Sequence, residues 1–172
     1  MTPYRGMRPS RSSTSALLIM AALWAGAAVP TAAPVQLESA RTTVPAIIVF
    51  EVTDLITTTD AVTGTTTVSF DQALLLLGRA LRISVKADGD LVPLDGGSIP
   101  VSNIVWQTSG AVNGVGINGV LSKTAYTPVF ESNALVLSGR VDVVWKLSPP
   151  GPAVRAGPHQ VTLRWKIESV IP

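Results

Sequence analysis

The 172-residue chain has no cysteine and a single histidine, His159. The missing thiols exclude disulfide frameworks, thiol nucleophiles and cysteine-based zinc sites. One imidazole is too few for a histidine-based zinc site. A Ser-His-Asp relay would need a serine and an acid converging on His159, and no Gly-x-Ser-x-Gly stretch supplies the nucleophile. His159 follows Pro158 at a strand entrance, where the plain expectation is a strand-edge residue. Four glutamates and seven aspartates, mostly in turns or on strand faces, leave paired-carboxylate glycoside chemistry as the remaining enzymatic option. The sequence also has no Asn-x-Ser/Thr sequon and no long amphipathic helical pattern. A non-enzymatic protein is expected.

What is present begins with a leader. Residues 1–13 carry Arg5, Arg8 and Arg11 and no acid, and the apolar run Ala16–Ala28 follows before a series of small residues. This basic, apolar, small order is that of a secretory signal peptide, expected over residues 1–28 with cleavage near 27–33. The apolar run is 13 residues, short of the ~20 needed to span a bilayer, so no transmembrane anchor is expected in the mature chain. Without the three leader arginines the remainder has ten basic and eleven acidic residues. Net basicity, and with it a nucleic-acid partner, is therefore not expected. The predicted location is outside the cytoplasm: extracellular, at the cell surface or in a periplasm. The Ala-rich leader and the cysteine-free exported domain suggest a bacterial source.

Residues 34–45 are polar and bounded by prolines, as in a flexible N-terminal arm. From residue 46 to 172 the composition is that of strands and turns. Residues 46–52, AIIVFEV, read as a strand buried on both faces, and 54–64 as a polar connection. Residues 81–87 alternate, with Leu81, Ile83 and Val85 on one face. Residues 71–80, DQALLLLGRA, read as a short helical turn or an irregular crossing. Residues 102–108 place Ile104 and Trp106 together. Residues 109–122 hold two Asn-Gly pairs, Asn113-Gly114 and Asn118-Gly119, each the preferred centre of a tight hairpin turn. Loops of this composition also bind ligands on rigid scaffolds, which makes Asn113 and Asn118 candidate binding residues. About seven short strands separated by turn signals predict an all-β, Ig-like antiparallel sandwich.

Two stretches repeat one pattern. VDVVWKL (141–147) aligns Val141, Val143, Trp145 and Leu147, and VTLRWKI (161–167) aligns Val161, Leu163, Trp165 and Ile167. Period-two alternation accounts for every apolar position, so two core strands with inward indoles are expected. Trp145 and Trp165 are also the candidate binding residues of the region. Asp88, Asp90 and Asp95 cluster in ADGDLVPLDGG, and three carboxylates in a turn begin a calcium site. The spacing departs from the EF-hand loop, and a solvated Asp/Gly turn is the simpler reading. No other cofactor is expected.

The closing stretch AGPHQVTLRWKIESVIP resembles the last strand of WxL-domain proteins. Ala156-Gly157, Trp165-Lys166-Ile167 and the terminal Pro172 carry the likeness, with Ile167 in place of Leu and His159 in place of Tyr. The resemblance implies an exported bacterial surface protein held non-covalently to the cell wall, with wall polysaccharide or a surface protein as partner. Two other classes compete. One is a carbohydrate-binding module presenting aromatic residues and the 109–122 loop. The other is a pilus-like fibre subunit, similar to chaperone-assembled pilins, that donates residues 34–45 to the open edge of a neighbour. Ile171, where such pilins carry an aromatic residue, departs from that pattern.

Overall fold

The computed structural model describes residues 40–75, 77–93, 97–151 and 154–172. The leader, most of the expected arm and Asp95 lie outside the described residues. Eleven strands follow in chain order: β1 (Arg41–Thr43), β2 (Ile47–Val52), β3 (Thr59–Asp71), β4 (Ala80–Ala87), β5 (Val92–Pro93), β6 (Ile104–Val112), β7 (Gly114–Gly116), β8 (Gly119–Val120), β9 (Thr127–Ser132), β10 (Gly139–Leu147) and β11 (Gly157–Val170). The only helical element among the described residues is a single 3-10 turn, Val101–Asn103. All strand pairings are antiparallel. The protein is all-β.

The strands form one sheet in the order β7-β9-β4-β11-β2-β3-β10-β6-β8, with β1 paired to β3 and β5 to β11. Two long strands change partners along their length. β11 pairs with β2 through residues 157–162 and with β4 through residues 163–170. β3 meets β2 at Ala61, pairs with β10 along most of its length and holds β1 at residues 69–71. The sheet curls until its two margins meet. β7 and β8 stand at opposite ends of the strand order, yet only Ile117 and Asn118 separate them in the chain. The Ile117 N–H donates to Val129 O on the β9 side at 2.8 Å, and Ile117 O accepts the Trp106 indole N–H of β6 at 2.7 Å.

The core fills the inside of this curl. Inward residues of β10 (Val141, Val143, Trp145, Leu147) and β4 (Leu81, Ile83, Val85) are fully buried, as their alternation dictates. Contacts cross between opposed strands: Phe70 of β3 meets Phe130 of β9 with ring centroids 6.1 Å apart. β10 and β11, the two repeated stretches, are not neighbours in the sheet. They face each other across the core, where Trp145 and Trp165 meet edge to face at 6.4 Å.

Several local expectations change. β2 is buried on one face only, with Ile48, Phe50 and Val52 inside, Ile47 and Glu51 exposed and Val49 half-buried. The expected polar connection before residue 65 is partly strand, because β3 begins at Thr59. At the end of the expected arm, Arg41–Thr43 pairs with Ser69–Asp71 of the same chain. The described part of 71–80 holds no helix; Ala73 is anchored by an N–H bond to Leu137 O.

The Asn-Gly pairs are not two-residue hairpin turns. Such a turn joins two strands that pair with each other. β6 and β7, on either side of Asn113-Gly114, pair instead with β10 and β8 and with β9, and β7 and β8, on either side of Asn118, pair with β9 and with β6; of the four residues only Asn113 has positive φ, 58°. These glycines serve close approach instead. A Cβ on Gly119 would lie 2.4 Å from Cζ2 of Trp106, and one on Gly114 would lie 2.5 Å from Cζ of Phe130. The stretch read as a loop is a strap pressed onto aromatic rings.

Gly119→Ala should therefore destabilise the fold by about 1–3 kcal/mol, the range for overpacking a filled site. Gly89→Ala, where an added Cβ meets nothing within 4 Å, should leave the urea midpoint nearly unchanged.

Candidate functional site

Three indoles form one cluster. Trp106 and Trp145 are fully buried with centroids 5.5 Å apart, and Trp165, half-buried, closes the row against Trp145. Tilted and edge-on geometries at these distances match the ring quadrupoles and add to the area buried. Each indole N–H is consumed internally: Trp106 by Ile117 O at 2.7 Å, Trp145 by Thr66 Oγ1 at 2.9 Å and Trp165 by Pro45 O at 2.6 Å. A sugar-stacking platform needs an open indole face. Among the described residues no tryptophan is exposed.

The two asparagines are likewise committed to the fold. Asn113 donates from Nδ2 to Ser138 O at 2.9 Å, and its own O accepts the Asn133 N–H at 2.8 Å. Asn118 Oδ1 accepts both the Thr108 N–H (2.8 Å) and the Thr108 hydroxyl (2.9 Å), tying the strap to β6. The two lie at different parts of the strap, and nothing brings them together with Trp145 and Trp165.

Of the three aspartates proposed for calcium, Asp88 and Asp90 are described and each faces a cation of the chain. Asp88 pairs with the Arg164 guanidinium. Asp90 Oδ2 accepts from Lys123 Nζ at 2.7 Å, and its Oδ1 accepts the Val101 N–H at 3.0 Å. These contacts fasten the 88–103 connection to residues around 123 and to the start of the 3-10 turn. The Lys123 hydrogen bond, helped by the Val101 amide, holds the Asp90 carboxyl below the usual carboxylate range. Among the described residues no three His, Asp or Glu side chains gather in a way that would hold a metal ion.

His159 is not at a strand edge. It is fully buried, with Phe50 of β2 opposite on one side and Pro93 of β5 on the other. Its Nδ1 lies 2.9 Å from Gly157 O. A carbonyl only accepts, so Nδ1 carries the hydrogen. Nε2 is buried with no partner. Sequence reasoning missed this because β5, a two-residue strand containing proline, gives no periodic signal that another strand lies beside His159.

Also unanticipated is a shallow groove of about 460 Å³ lined by Val115, Ile117, Glu131, Ser132, Asn133, Ala134 and Pro172. It lies where the strap crosses β9. Among the described residues no helix is long and apolar enough to cross a membrane. Comparisons with protein-family models, with curated proteins and with solved structures find no match to this chain.

Two outcomes are expected here. Thr66→Val removes the acceptor of the buried Trp145 N–H and should cost about 1–3 kcal/mol in chemical denaturation. The stabilisation carried by Asp90 should be present above the unfolded carboxylate pKa of about 3.9 and be lost as pH falls through the lower folded value. A stability–pH profile of Asp90→Asn should lack that acid-side loss, and high salt should shrink the difference from the parent.

Proposed function

We propose that this chain is an exported, non-enzymatic structural protein of the cell surface, associated without covalent linkage with the bacterial wall. The observation that carries the reading is the internal commitment of the candidate side chains. Trp145, Trp165, Asn113, Asn118, Asp88 and Asp90 are each engaged within the fold. Side chains spent on holding a sheet closed support a scaffold rather than a reaction centre. The export half of the proposal rests on the leader pattern of residues 1–28. The wall half rests on the likeness of residues 156–172 to a WxL-type closing strand.

The architectural part of the proposal is an Ig-like sandwich. Opposed contacts between β3 and β9 and between β10 and β11 support two layers within the single curled sheet. The carbohydrate-binding alternative gains no support from the indoles, whose faces turn inward. The fibre-subunit alternative keeps one supporting observation: among the described residues β1 is a three-residue strand paired on one side only, to β3. A neighbour's strand could occupy the same register.

The test is co-sedimentation of the chain from about Val29 onward with insoluble peptidoglycan, with cellulose and chitin as controls, in moderate salt. Saturable pelleting with peptidoglycan alone is expected. No pelleting with any polymer overturns wall association, and pelleting with cellulose or chitin as well favours the sugar-binding class.

A further inference from the structure

One end of the domain carries an apolar patch that the core does not use. β3 ends there at Asp71, β4 begins at Ala80, β9 ends at Ser132 and β10 begins at Gly139. The two connections run side by side, tied by Ala73 N–H to Leu137 O (3.0 Å) and Leu135 N–H to Arg79 O (3.2 Å). Leu74, Leu77, Leu135 and Leu137 point outward from them, with exposures of 53%, 87%, 53% and 64%. Single exposed leucines are ordinary, but four on two bonded loops form a patch. Neither loop sequence, 72–79 or 133–138, contains an acid.

The surround is basic. Arg140 is the second residue of β10, Arg41 leads β1 opposite Asp71, and Arg79 closes the first loop. Arg41 and Arg140 are exposed, and Arg79 reaches Ser169 O with Nη1 at 3.3 Å. At this end Arg41, Arg79, Arg82 and Arg140 stand with Asp71 and Glu131, and Arg82 and Glu131 pair with each other at 3.0 Å, which leaves an excess of positive charge although the chain beyond the leader carries more acids than bases. Leucine tips within an arginine collar have a definite complement: acyl chains beneath anionic headgroups. A second copy is a poorer match, because a two-fold contact would press the same collar against itself.

We propose that this end docks on an anionic lipid bilayer, with Leu77 and Leu137 entering the headgroup–acyl boundary and Arg41 and Arg140 facing lipid phosphates. The inference is independent of wall association, since its partner is lipid and its test contains no polysaccharide.

The absence of cysteine makes the test clean. The full chain is labelled with an environment-sensitive fluorophore at Leu77→Cys, or at Ile56→Cys as a control. Ile56 is 82% exposed and precedes β3, at the far end of that strand from Leu77. Vesicles are phosphatidylcholine alone or mixed with phosphatidylglycerol. The Leu77 label should shift to the blue with phosphatidylglycerol vesicles while the Ile56 label stays unchanged. Arg41→Gln with Arg140→Gln should weaken the partition by roughly 25-fold, about fivefold for each charge near the surface. Equal responses at the two labels, no response at either, or an equal shift with neutral vesicles would each overturn the proposal. A blue shift that grows with protein concentration in the absence of vesicles would also overturn it, and would assign the patch to a second copy.

Discussion

Trp145 is the point on which the rest of the structure depends. It stands on β10, meets Trp106 of the neighbouring β6 and Trp165 of the opposed β11, and gives its N–H to Thr66 of β3. Four strands are therefore fixed relative to one ring system. A fully buried indole is among the largest single apolar contributions a small domain can have, and its one polar atom must be satisfied. The curl of the sheet brings β11 over β10, and the indole fills the space so created. Without the curl, Trp145 and Trp165 would be neighbours in sequence pattern only.

The same economy explains the strap. A curled sheet still has two margins, and exposed margins invite pairing with other chains. Here residues 114–120 pair at one end with β9 and at the other with β6, so a single stretch serves both margins. This is possible because the strap lies very close to the core. Gly114 and Gly119 admit the rings of Phe130 and Trp106 where any side chain would collide. Asn118 and Ile117 then supply the polar ties to β6 and β9.

Much of this was legible in the sequence, and the limits have a physical cause. Alternation located β4, β10 and the inward face of β11, because burial of one face imposes a period of two whatever the partner strand. It marks Trp145 and Trp165 as inward residues and sets Trp106 on one face with Ile104. It did not say which strands are neighbours, since a strand's own pattern names a face and not a partner. Hence the repeated Trp stretches read as core strands without their placement across from each other. The glycines of 109–122 read as turn residues because small residues in turns and small residues under aromatic rings look alike in one dimension. His159 reads as an edge residue because the strand beside it, β5, is two residues long. For the candidate site, spacing grouped Asp88 and Asp90, but the cations that face them, Arg164 and Lys123, come from distant parts of the chain.

The change of partner along β11 bears on how the molecule assembles. β2 belongs with β3, β10 and β6, while β4 belongs with β9 and β7, and β11 is the strand that joins the two groups. It is also the last strand in chain order. A nascent polypeptide thus lacks its central seam until residues 157–170 have appeared. Contacts of such long sequence separation make for slow closure. Residues 157–170 are thus the second link between the β2 and β4 groups, the strap across β9 and β6 being the first.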